Sequence, residues 1–371
     1  MNTTEPWYVL SNIGQLDSPS LVVYTDRVKQ NIRTLIDSID DIARLRPHVK
    51  THKSAEISKM LLEAGIKKFK CATIAEAEML ASVGAPDILL AYQPVGPKAK
   101  RLSDLTKKFP DVRWSCLVDN AYSATELSAV FEGSGQTINV YFDLNVGMNR
   151  TGIVPLAGLS LYNACKDLKG INVVGLHVYD GHLRDADYSV RKKKCDEAFE
   201  AVLSLRREIE KTSATKLAIV AGGSPTFSIH CKRKEIECSP GTFIYWDKGY
   251  ETGLREQHFV PAALVVTRVI SLPAENIVCT DLGHKAIASE NPLANRVSFL
   301  NAPDLEPVSH SEEHMVFKAP AGSKYKVGDV LYGVPYHVCP TVALHEIAYA
   351  VSAHQVTENW TTEARKRKLT I

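Results

Sequence analysis

The sequence predicts an α/β fold, in which a (β/α)8 barrel of the TIM type is followed by a mostly β domain. Between residue 44 and about residue 246, short apolar or β-branched runs alternate with stretches of helical periodicity. The runs that we interpret as strands are 44–49, 68–72, 87–91, 114–118, 138–143, 173–179, 217–221 and 236–245. Eight strand–helix units of this kind fit a closed parallel barrel with its helices outside.

The helical stretches between these runs are amphipathic, as Glu197–Glu210 illustrates with apolar residues on one face. After about residue 256 helical periodicity disappears, and valine-rich segments such as 262–271 are typical of β-structure. The alternative for the first part is an open doubly wound sheet. No GxGxxG motif follows the first predicted strand, which weakens that alternative.

These patterns predict two domains. We expect a cofactor-binding barrel at 20–255 and a β domain at 256–371, which 1–19 joins. The segment Ser20–Tyr24 precedes the first predicted barrel strand. It is either a linker or a strand of the β domain, and the sequence leaves both alternatives open.

Composition restricts the class of protein. Hydrophobic residues make up 45% of the chain and charged residues 23%, so an ordinary core can form. A net charge of +2, without a clustered basic face, argues against a nucleic-acid partner. We expect neither a membrane span nor a signal peptide, because no apolar run reaches about 18 residues and no apolar block follows a basic start. Eight scattered cysteines without a CxxC pair indicate reduced thiols in a cytoplasmic enzyme.

Two histidines and several cations lie at the end of the first predicted strand, in the stretch RPHVKTHK at 46–53. Barrel enzymes place their active sites at the carboxyl ends of the strands, where this stretch lies. A lysine crowded by other cations loses its proton more easily, and a neutral amine is what attacks a carbonyl carbon. A basic surface loop remains the alternative interpretation of this stretch.

The stretch resembles the cofactor-lysine motif of the D-threonine aldolase and D-serine dehydratase family. These are fold-type-III pyridoxal-phosphate enzymes, related in fold to alanine racemase. The resemblance runs from about Asp17 to Val351. It implies that the protein is a lyase with bound pyridoxal phosphate, that Lys50 rather than Lys53 carries the cofactor, and that a homodimer forms.

Two further motifs match this family. In GMNRTG at 147–152 the resemblance implies that Arg150 hydrogen-bonds the phenolic oxygen of the cofactor. A glycine turn with an exposed arginine is the other interpretation. In the run ending in YDGH, Tyr179 would lie against the pyridine ring, and His182 would take or return a proton near neutral pH. We interpret His177, which precedes them, as a packed histidine.

One glycine-rich segment follows the seventh predicted strand, and another lies at the start of the final segment of the eighth. Together they match the usual phosphate corner of such barrels. Glycines leave backbone N–H groups open to a phosphate, and nearby hydroxyls add donors. Similar segments occur in the family. The residues predicted to hold the phosphate are Gly222, Gly223, Ser224, Thr226, Gly241 and Thr242.

A metal pair is predicted at His337 and Cys339. Residues i and i+2 of an extended chain point the same way, so both side chains can bind one ion. A core histidine beside a buried thiol would be the simpler interpretation, but the pair resembles the metal ligands of the D-serine dehydratases. Imidazole with thiolate favours zinc, whereas the aldolases of the family are associated with manganese. We assign no role to Lys285, Glu312 or Glu313.

Two chemistries remain open for a D-amino acid with a 3-hydroxyl group. In one, the C2–C3 bond breaks to give glycine and an aldehyde, as in D-threonine aldolase. In the other, D-serine loses water and ammonia to become pyruvate. The YDGH run favours the aldolase and the His337–Cys339 pair favours the dehydratase, and we place the aldolase first. A racemase and a non-catalytic cofactor-binding protein are weaker alternatives.

We predict that Lys50→Ala abolishes covalent attachment of pyridoxal phosphate, whereas Lys53→Ala retains it. The reason is that Lys50, and not Lys53, matches the cofactor lysine in the motif of the family. Borohydride reduction followed by peptide mapping identifies the labelled residue. Finding the label on Lys53 would show that the motif has been aligned wrongly.

Overall fold

The computed structural model describes residues 5–213 and 216–371, and in them two sheets and ten helices form. The strands are β1 Ser20–Tyr24, β2 Lys68–Cys71, β3 Asp87–Leu90, β4 Arg113–Val118, β5 Ile138–Leu144, β6 Ile171–Val178, β7 Ala218–Ala221, β8 Ile236–Cys238, β9 Ala263–Ala274, β10 Ile277–Thr280, β11 Val297–Phe299, β12 Glu306–His310, β13 Met315–Lys318, β14 Val330–Pro335, β15 Ile347–Ser352 and β16 Gln355–Thr361. The helices are α1 Thr25–Asp37, α2 Ala55–Glu63, α3 Ile74–Ser82, α4 Pro97–Lys108, α5 Ala121–Gly133, α6 Gly158–Cys165, α7 Tyr188–Thr212, α8 Phe227–His230, α9 Lys248–Gly253 and α10 Val338–Leu344.

The chain divides into two compact units. We call the first the barrel unit; it comprises Leu35–Lys50, Ala55–Gly241 and Lys366–Ile371. We call the second the β unit, which comprises Met1–Thr34, Thr51–Ser54 and Thr242–Arg365. The proposed domain ranges of 20–255 and 256–371 remain predictions.

The barrel unit is a parallel sheet whose strands follow chain order from β2 to β8. Crossover segments between successive strands carry helices, among them α3, α4, α5 and α7. These strands are buried nearly throughout, which is why their sequences are apolar runs rather than alternating patterns. The predicted β/α architecture is thereby confirmed, and six of the predicted strands coincide with β2–β7.

The predicted strand at 44–49 is wrong. Residues Ile42–Arg44 form a 3-10 helix, and the following segment makes only two isolated parallel bridges, Leu45 to Cys238 and His48 to Lys70. The physical reason is Pro47, which has no N–H to donate to a ladder. Its carbonyl still accepts from Lys70 N at 2.9 Å. The segment 45–48 therefore joins β8 to β2 without forming a strand itself.

The predicted strand at 236–245 is too long. Its ladder ends at Cys238, before Pro240 and Gly241, and Thr242–Ile244 form a 3-10 helix. Proline again removes a donor, so the chain turns there instead of continuing the sheet.

A buried ion cluster lies where the segment 45–48 joins the sheet. Arg46, whose side chain is 1% exposed, donates to Asp87 at 2.6 Å and to Glu237 at 2.7 Å. Lys68, which is 30% exposed, also pairs with Glu237. Because Asp87 begins β3 and Glu237 lies in β8, Arg46 links the irregular segment to two strands of the sheet.

The β unit is built on a nine-stranded sheet whose long strand β9 pairs with β1, β10 and β14. Strand β1 lies between β9, to which it is antiparallel, and β15, to which it is parallel. Of the two alternatives for Ser20–Tyr24, the structure therefore selects a strand of the β unit. Its core is formed by apolar residues of these strands, such as Val22, Leu264 and Val266.

Two further features concern the whole described chain. None of the helices among residues 5–213 and 216–371 is long and apolar enough to cross a membrane. The eight cysteines are free thiols, six of them buried. A cytoplasmic location and a homodimer remain predictions.

We predict that Arg46→Met lowers the free energy of unfolding by about 3–5 kcal/mol, because it leaves Asp87 and Glu237 buried without their partner. The matched change Lys68→Met, at the partly exposed end of the same cluster, should cost about 0–1 kcal/mol. Urea-induced unfolding measures both. Equal losses in the two variants would contradict a special role for the buried guanidinium.

Candidate active site

Three cations surround the ring of Tyr179 in the barrel unit. The amines of Lys50 and Lys70 lie 5.7 Å and 5.8 Å from the centre of the ring, and the guanidinium carbon of Arg150 lies 4.9 Å from it. Tyr179 directly follows β6, and Arg150 lies in the loop after β5. Because the carboxyl ends of parallel strands meet at one edge, residues distant in sequence come together there.

Lys50 reaches this position through the irregular segment rather than from a strand. It lies in the 3-10 helix Val49–Thr51, which begins directly after the bridge at His48. The Nδ1 atom of His48 accepts a hydrogen bond from Lys50 N at 3.2 Å. The predicted cofactor residues Lys50, Arg150 and Tyr179 are thus brought together, while their roles remain predictions.

A polar chain crosses the interior beneath these residues. The Lys70 amine lies 3.5 Å from Nε2 of His177, and Nδ1 of His177 lies 2.8 Å from Asp143. The other carboxylate oxygen of Asp143 accepts from Thr151 at 2.8 Å and from Gln93 at 2.9 Å. His177 is buried, as predicted, but the sequence did not indicate that it connects a lysine to an aspartate.

Charge states in this chain follow from burial and from its hydrogen bonds. Burial and the nearby Lys50 amine lower the pKa of Lys70 to about 7. Burial lowers the pKa of His177 despite its bond to Asp143. Burial alone would raise the pKa of Asp143, but the bonds from His177, Thr151 and Gln93 hold it below its ordinary value. At neutral pH, His177 is therefore neutral and Asp143 is ionised.

The loop that carries Arg150 is held tightly and touches His182. Asn145 accepts from the amides of Gly147 and Asn149, both at 3.1 Å. A Cβ atom on Gly147, whose φ is +118°, would lie 2.9 Å from Nε2 of His182. Only glycine allows this approach. The exposed imidazole of His182 therefore lies against the Arg150 loop.

Asp180, between Tyr179 and Gly181, is the centre of a second buried cluster. It accepts hydrogen bonds from Thr226 at 2.6 Å and from Nε2 of His230 at 2.8 Å, and the Cys195 thiol lies 3.6 Å away. This cluster connects the loop after β6 to the glycine loop after β7, and thereby positions Tyr179.

Asp180, Cys195 and His230 have the residue types and spacing of a metal site. The protonation states of His230 and Cys195, however, are unsuitable for binding a metal ion. Arg233 donates to Nδ1 of His230 at 2.7 Å, so Nε2 carries the imidazole proton and donates it to Asp180. Burial raises the pKa of the Cys195 thiol to about 12, so it stays protonated. The atoms that would bind an ion are occupied by hydrogen bonds, and Arg233 adds a positive charge.

The glycine loops have the features that a phosphate and a planar ring require. Gly222 adopts a φ of +75°, and a Cβ atom on Gly223 would lie 2.9 Å from the ring of Tyr179. The amide of Gly223 reaches the Thr226 hydroxyl, and the amide of Gly241 the Ser224 hydroxyl, at 3.4 Å in each case. Contacts this long are weak, so an oxyanion can replace them.

Ser239, directly after the ladder of β8 ends, supports the same conclusion. Its hydroxyl is buried, and among the described residues it has no hydrogen-bond partner. A buried polar atom without a partner is costly unless a ligand supplies one. The residues of the barrel unit therefore fit pyridoxal phosphate.

The predicted metal pair lies in the β unit, but the backbone there is not extended throughout as we expected. His337 precedes α10, and Cys339 already belongs to its first turn. The two side chains nevertheless hydrogen-bond each other. His337 also contacts Glu290, and the Cys339 sulfur lies 3.2 Å from the Thr51 hydroxyl and 3.7 Å from that of Thr242. Thr242, predicted to hold the phosphate, thus contacts the predicted metal ligand.

The electrostatics of this pair suit a cation. Burial would lower the pKa of His337, but Cys339, Glu290 and Asp247 raise it to about 9. Negative charge thus accumulates around an imidazole that is 45% exposed. A divalent ion can take the place of the imidazole proton, and imidazole with thiolate is a donor set that zinc prefers.

Lys285, Glu312 and Glu313 form an exposed ion cluster in the β unit. The lysine amine lies 2.6 Å from Glu312 and 3.0 Å from Glu313, and all three side chains are more than half exposed. We assign this cluster no catalytic role, because exposed ion pairs of this kind contribute little.

Comparisons with known proteins find matches along most of the chain. Residues 23–248 match the family described as the alanine racemase N-terminal domain, and residues 262–351 match a putative serine dehydratase domain. The chain is 28% identical to a D-threonine aldolase from Arthrobacter sp over 366 residues, which cover 95% of this chain and 94% of the relative.

Solved structures show the same fold. The D-threonine aldolase from Filomicrobium marinum superposes with a TM-score of 0.86 at 25% identity, over 94% of this chain and 96% of that one. A Cys-to-Ala mutant of D-threo-3-hydroxyaspartate dehydratase, described as the metal-free form, has a TM-score of 0.83 at 20% identity, over 94% and 98% of the two chains.

We predict that the wild type binds zinc and that Cys339→Ala does not, because Cys339 would supply one of the two predicted ligands. Elemental analysis after dialysis against zinc measures the stoichiometry. Cys195→Ala is the discriminating control, since its thiol lies in the alternative cluster with Asp180 and His230. Loss of zinc from Cys195→Ala, but not from Cys339→Ala, would show that the metal binds at that cluster and not at the predicted pair.

Proposed function

We infer the function from the premise that the chain belongs to the alanine racemase N-terminal domain family and is a pyridoxal-phosphate-dependent lyase. We propose that its substrate is a D-amino acid with a 3-hydroxyl group, and that it breaks the C2–C3 bond to release glycine and an aldehyde. The observation that carries this proposal is His182, an exposed imidazole lying against the Arg150 loop next to Tyr179. The similarity to D-threonine aldolase supports the same reaction.

In this proposal the barrel unit holds pyridoxal phosphate. Lys50 would hold the cofactor through its amine, Tyr179 would lie against the ring, and the guanidinium of Arg150 would bind a ring oxygen. The weakly engaged amides of Gly223 and Gly241 would bind the phosphate, together with the Ser224 hydroxyl. When bound, the cofactor supplies an electron sink for C2 and the metal a Lewis acid for the 3-hydroxyl.

The residues of this chain then have distinct tasks. His182 takes the proton from the 3-hydroxyl oxygen, because its imidazole is exposed beside the Arg150 loop and imidazole is the side chain that most often serves as a general base. Asp180 fixes the loop between Tyr179 and His182 through its bonds to Thr226 and His230. His337 and Cys339 would hold the metal, with the hydroxyls of Thr51 and Thr242 near the sulfur.

The second candidate is a dehydratase, which removes the 3-hydroxyl instead of breaking the C2–C3 bond. The observation that favours it is the thiolate in the predicted metal pair. A dehydratase of the same fold has been described in a metal-free form as a Cys-to-Ala mutant. Under this alternative, D-serine gives pyruvate and ammonia.

D-Threonine separates the two candidates in one assay. An aldolase gives glycine and acetaldehyde, which an aldehyde assay detects, whereas a dehydratase gives 2-oxobutyrate, which a coupled dehydrogenase detects. We expect the first pair of products, and no reaction with L-threonine. Keto acid without glycine would reject the aldolase in favour of the dehydratase.

His182→Ala should lower kcat for D-threonine by roughly 10²–10⁴-fold, the usual loss when a general base is removed. Cofactor and metal should remain bound, because His182 belongs to neither predicted ligand set. The matched control is His314→Ala, another exposed histidine, in the β unit. A rate for His182→Ala within a few-fold of the wild type would remove this residue from the mechanism.

A further inference from the structure

Lys70 is a buried amine in the interior of the barrel unit, and the mechanism above does not use it. The residue is 2% exposed and lies in β2, near the carboxyl end of the sheet. In the part of the chain that the structure describes, its amine has one polar partner, Nε2 of His177 at 3.5 Å. Lys68, two residues earlier in the same strand, is instead paired with the carboxylate of Glu237.

The charges that face the Lys70 amine do not neutralise it. Lys50 and Arg46 act against its positive charge, whereas Asp143 and Asp180 act in its favour. Asp143 already accepts from His177, Thr151 and Gln93, and Asp180 from His230 and Thr226.

His177 fixes the direction of the amine. Its Nδ1–H donates to Asp143, so Nε2 presents a lone pair to Lys70. This acceptor can hold a neutral amine or an ammonium, but it supplies no negative charge. A buried amine without a carboxylate partner is costly, and an anion bound beside it would remove that cost.

The space next to the amine is where an anion is expected. Lys70 and Lys50 are almost equidistant from the ring of Tyr179, and Arg150 is closer still. Three basic side chains converge on one ring, while Asp143 and Asp180 are committed to other partners. The proposed function brings two oxyanions to this cluster, the ring oxygen of the cofactor and the carboxylate of the amino acid.

We propose that Lys70 is an anion-binding residue of this site, which pairs with one of these two oxyanions and takes up a proton from solvent when the anion binds. This inference rests on the proposed function, since that function supplies both anions. The lysine is then neutral in the empty site and an ammonium in the filled one. His177 and Asp143 hold it in place in both states.

The sign of the pH dependence follows from linkage. The Lys70 amine has a pKa of about 7 in the ligand-free protein, so it is about one-tenth protonated at pH 8. An adjacent anion favours the charged form and raises that pKa. Binding at pH 8 therefore takes up as much as about 0.9 proton per chain. Below the pKa that Lys70 has in the ligand-free protein, the amine is already protonated and binding takes up no proton. Above that pKa, the affinity for the anion falls by up to about tenfold per pH unit.

Titration calorimetry in two buffers of different ionisation enthalpy measures this uptake at pH 8. One arm titrates the cofactor-free protein with pyridoxal phosphate. The other titrates the holoenzyme with D-alanine, which lacks a 3-hydroxyl and so undergoes neither proposed cleavage. The wild type should take up more protons than Lys70→Met in one arm, and that arm identifies which oxyanion the amine pairs with.

Lys68→Met is the matched control and should behave as the wild type, because Lys68 already has a carboxylate partner. Lys70→Arg retains a permanent charge, so it should bind without the extra uptake. Lys70→Met should remain folded, since replacing a buried charge by an apolar chain is often neutral or stabilising. Thermal unfolding checks this, and Lys70→Arg provides the comparison if Lys70→Met unfolds.

Equal proton uptake by the wild type and both Lys70 variants, in both arms, would overturn the inference while leaving the proposed function intact. Failure of the wild type to bind pyridoxal phosphate at all would contradict the proposed function, and this inference with it. Uptake that is lost in Lys68→Met as well as in Lys70→Met would also overturn it, because the effect would then not belong to Lys70.

Discussion

The missing N–H group of Pro47 constrains the barrel unit more than any other single feature. Without that donor, residues 45–48 cannot add an eighth strand, and they join β8 to β2 through two isolated bridges. The buried guanidinium of Arg46 compensates by binding Asp87 and Glu237. Because the segment is not a strand, the chain can turn into the 3-10 helix Val49–Thr51, and this turn brings Lys50 to Tyr179.

Polar groups inside the sheet form two successive clusters. The first is the ion cluster of Arg46, and the second is the chain from Lys70 through His177 to Asp143. The first is neutralised by carboxylates, whereas the second leaves an amine whose burial lowers its pKa to about 7. Burial costs of this size are accepted in proteins chiefly where function needs them. Under the proposal above, bound anions supply the negative charge that this second cluster lacks.

Much of the fold could be predicted from the sequence, because buried parallel strands are continuous apolar runs between amphipathic helices. Two predicted strands were wrong or too long because a proline interrupts the apolar run, at Pro47 and at Pro240. Hydrophobic periodicity does not indicate which residues lack a backbone N–H donor. The candidate site was predicted by motif around Lys50, Arg150 and Tyr179. Lys70 and Asp143 were missed because they are joined through His177, 107 residues beyond Lys70 in the chain. The sequence signal for Lys70 was a charged residue near the end of a predicted strand.

The central claim is that the bond from C2 to C3 breaks while the bond from C2 to hydrogen stays intact. D-Threonine deuterated at C2 tests this most directly, because an aldolase and a dehydratase differ in whether that bond is cleaved. The account predicts the same turnover rate as with unlabelled D-threonine, and glycine that retains the deuterium. A slower rate with the labelled substrate, together with loss of the deuterium to solvent, would contradict it.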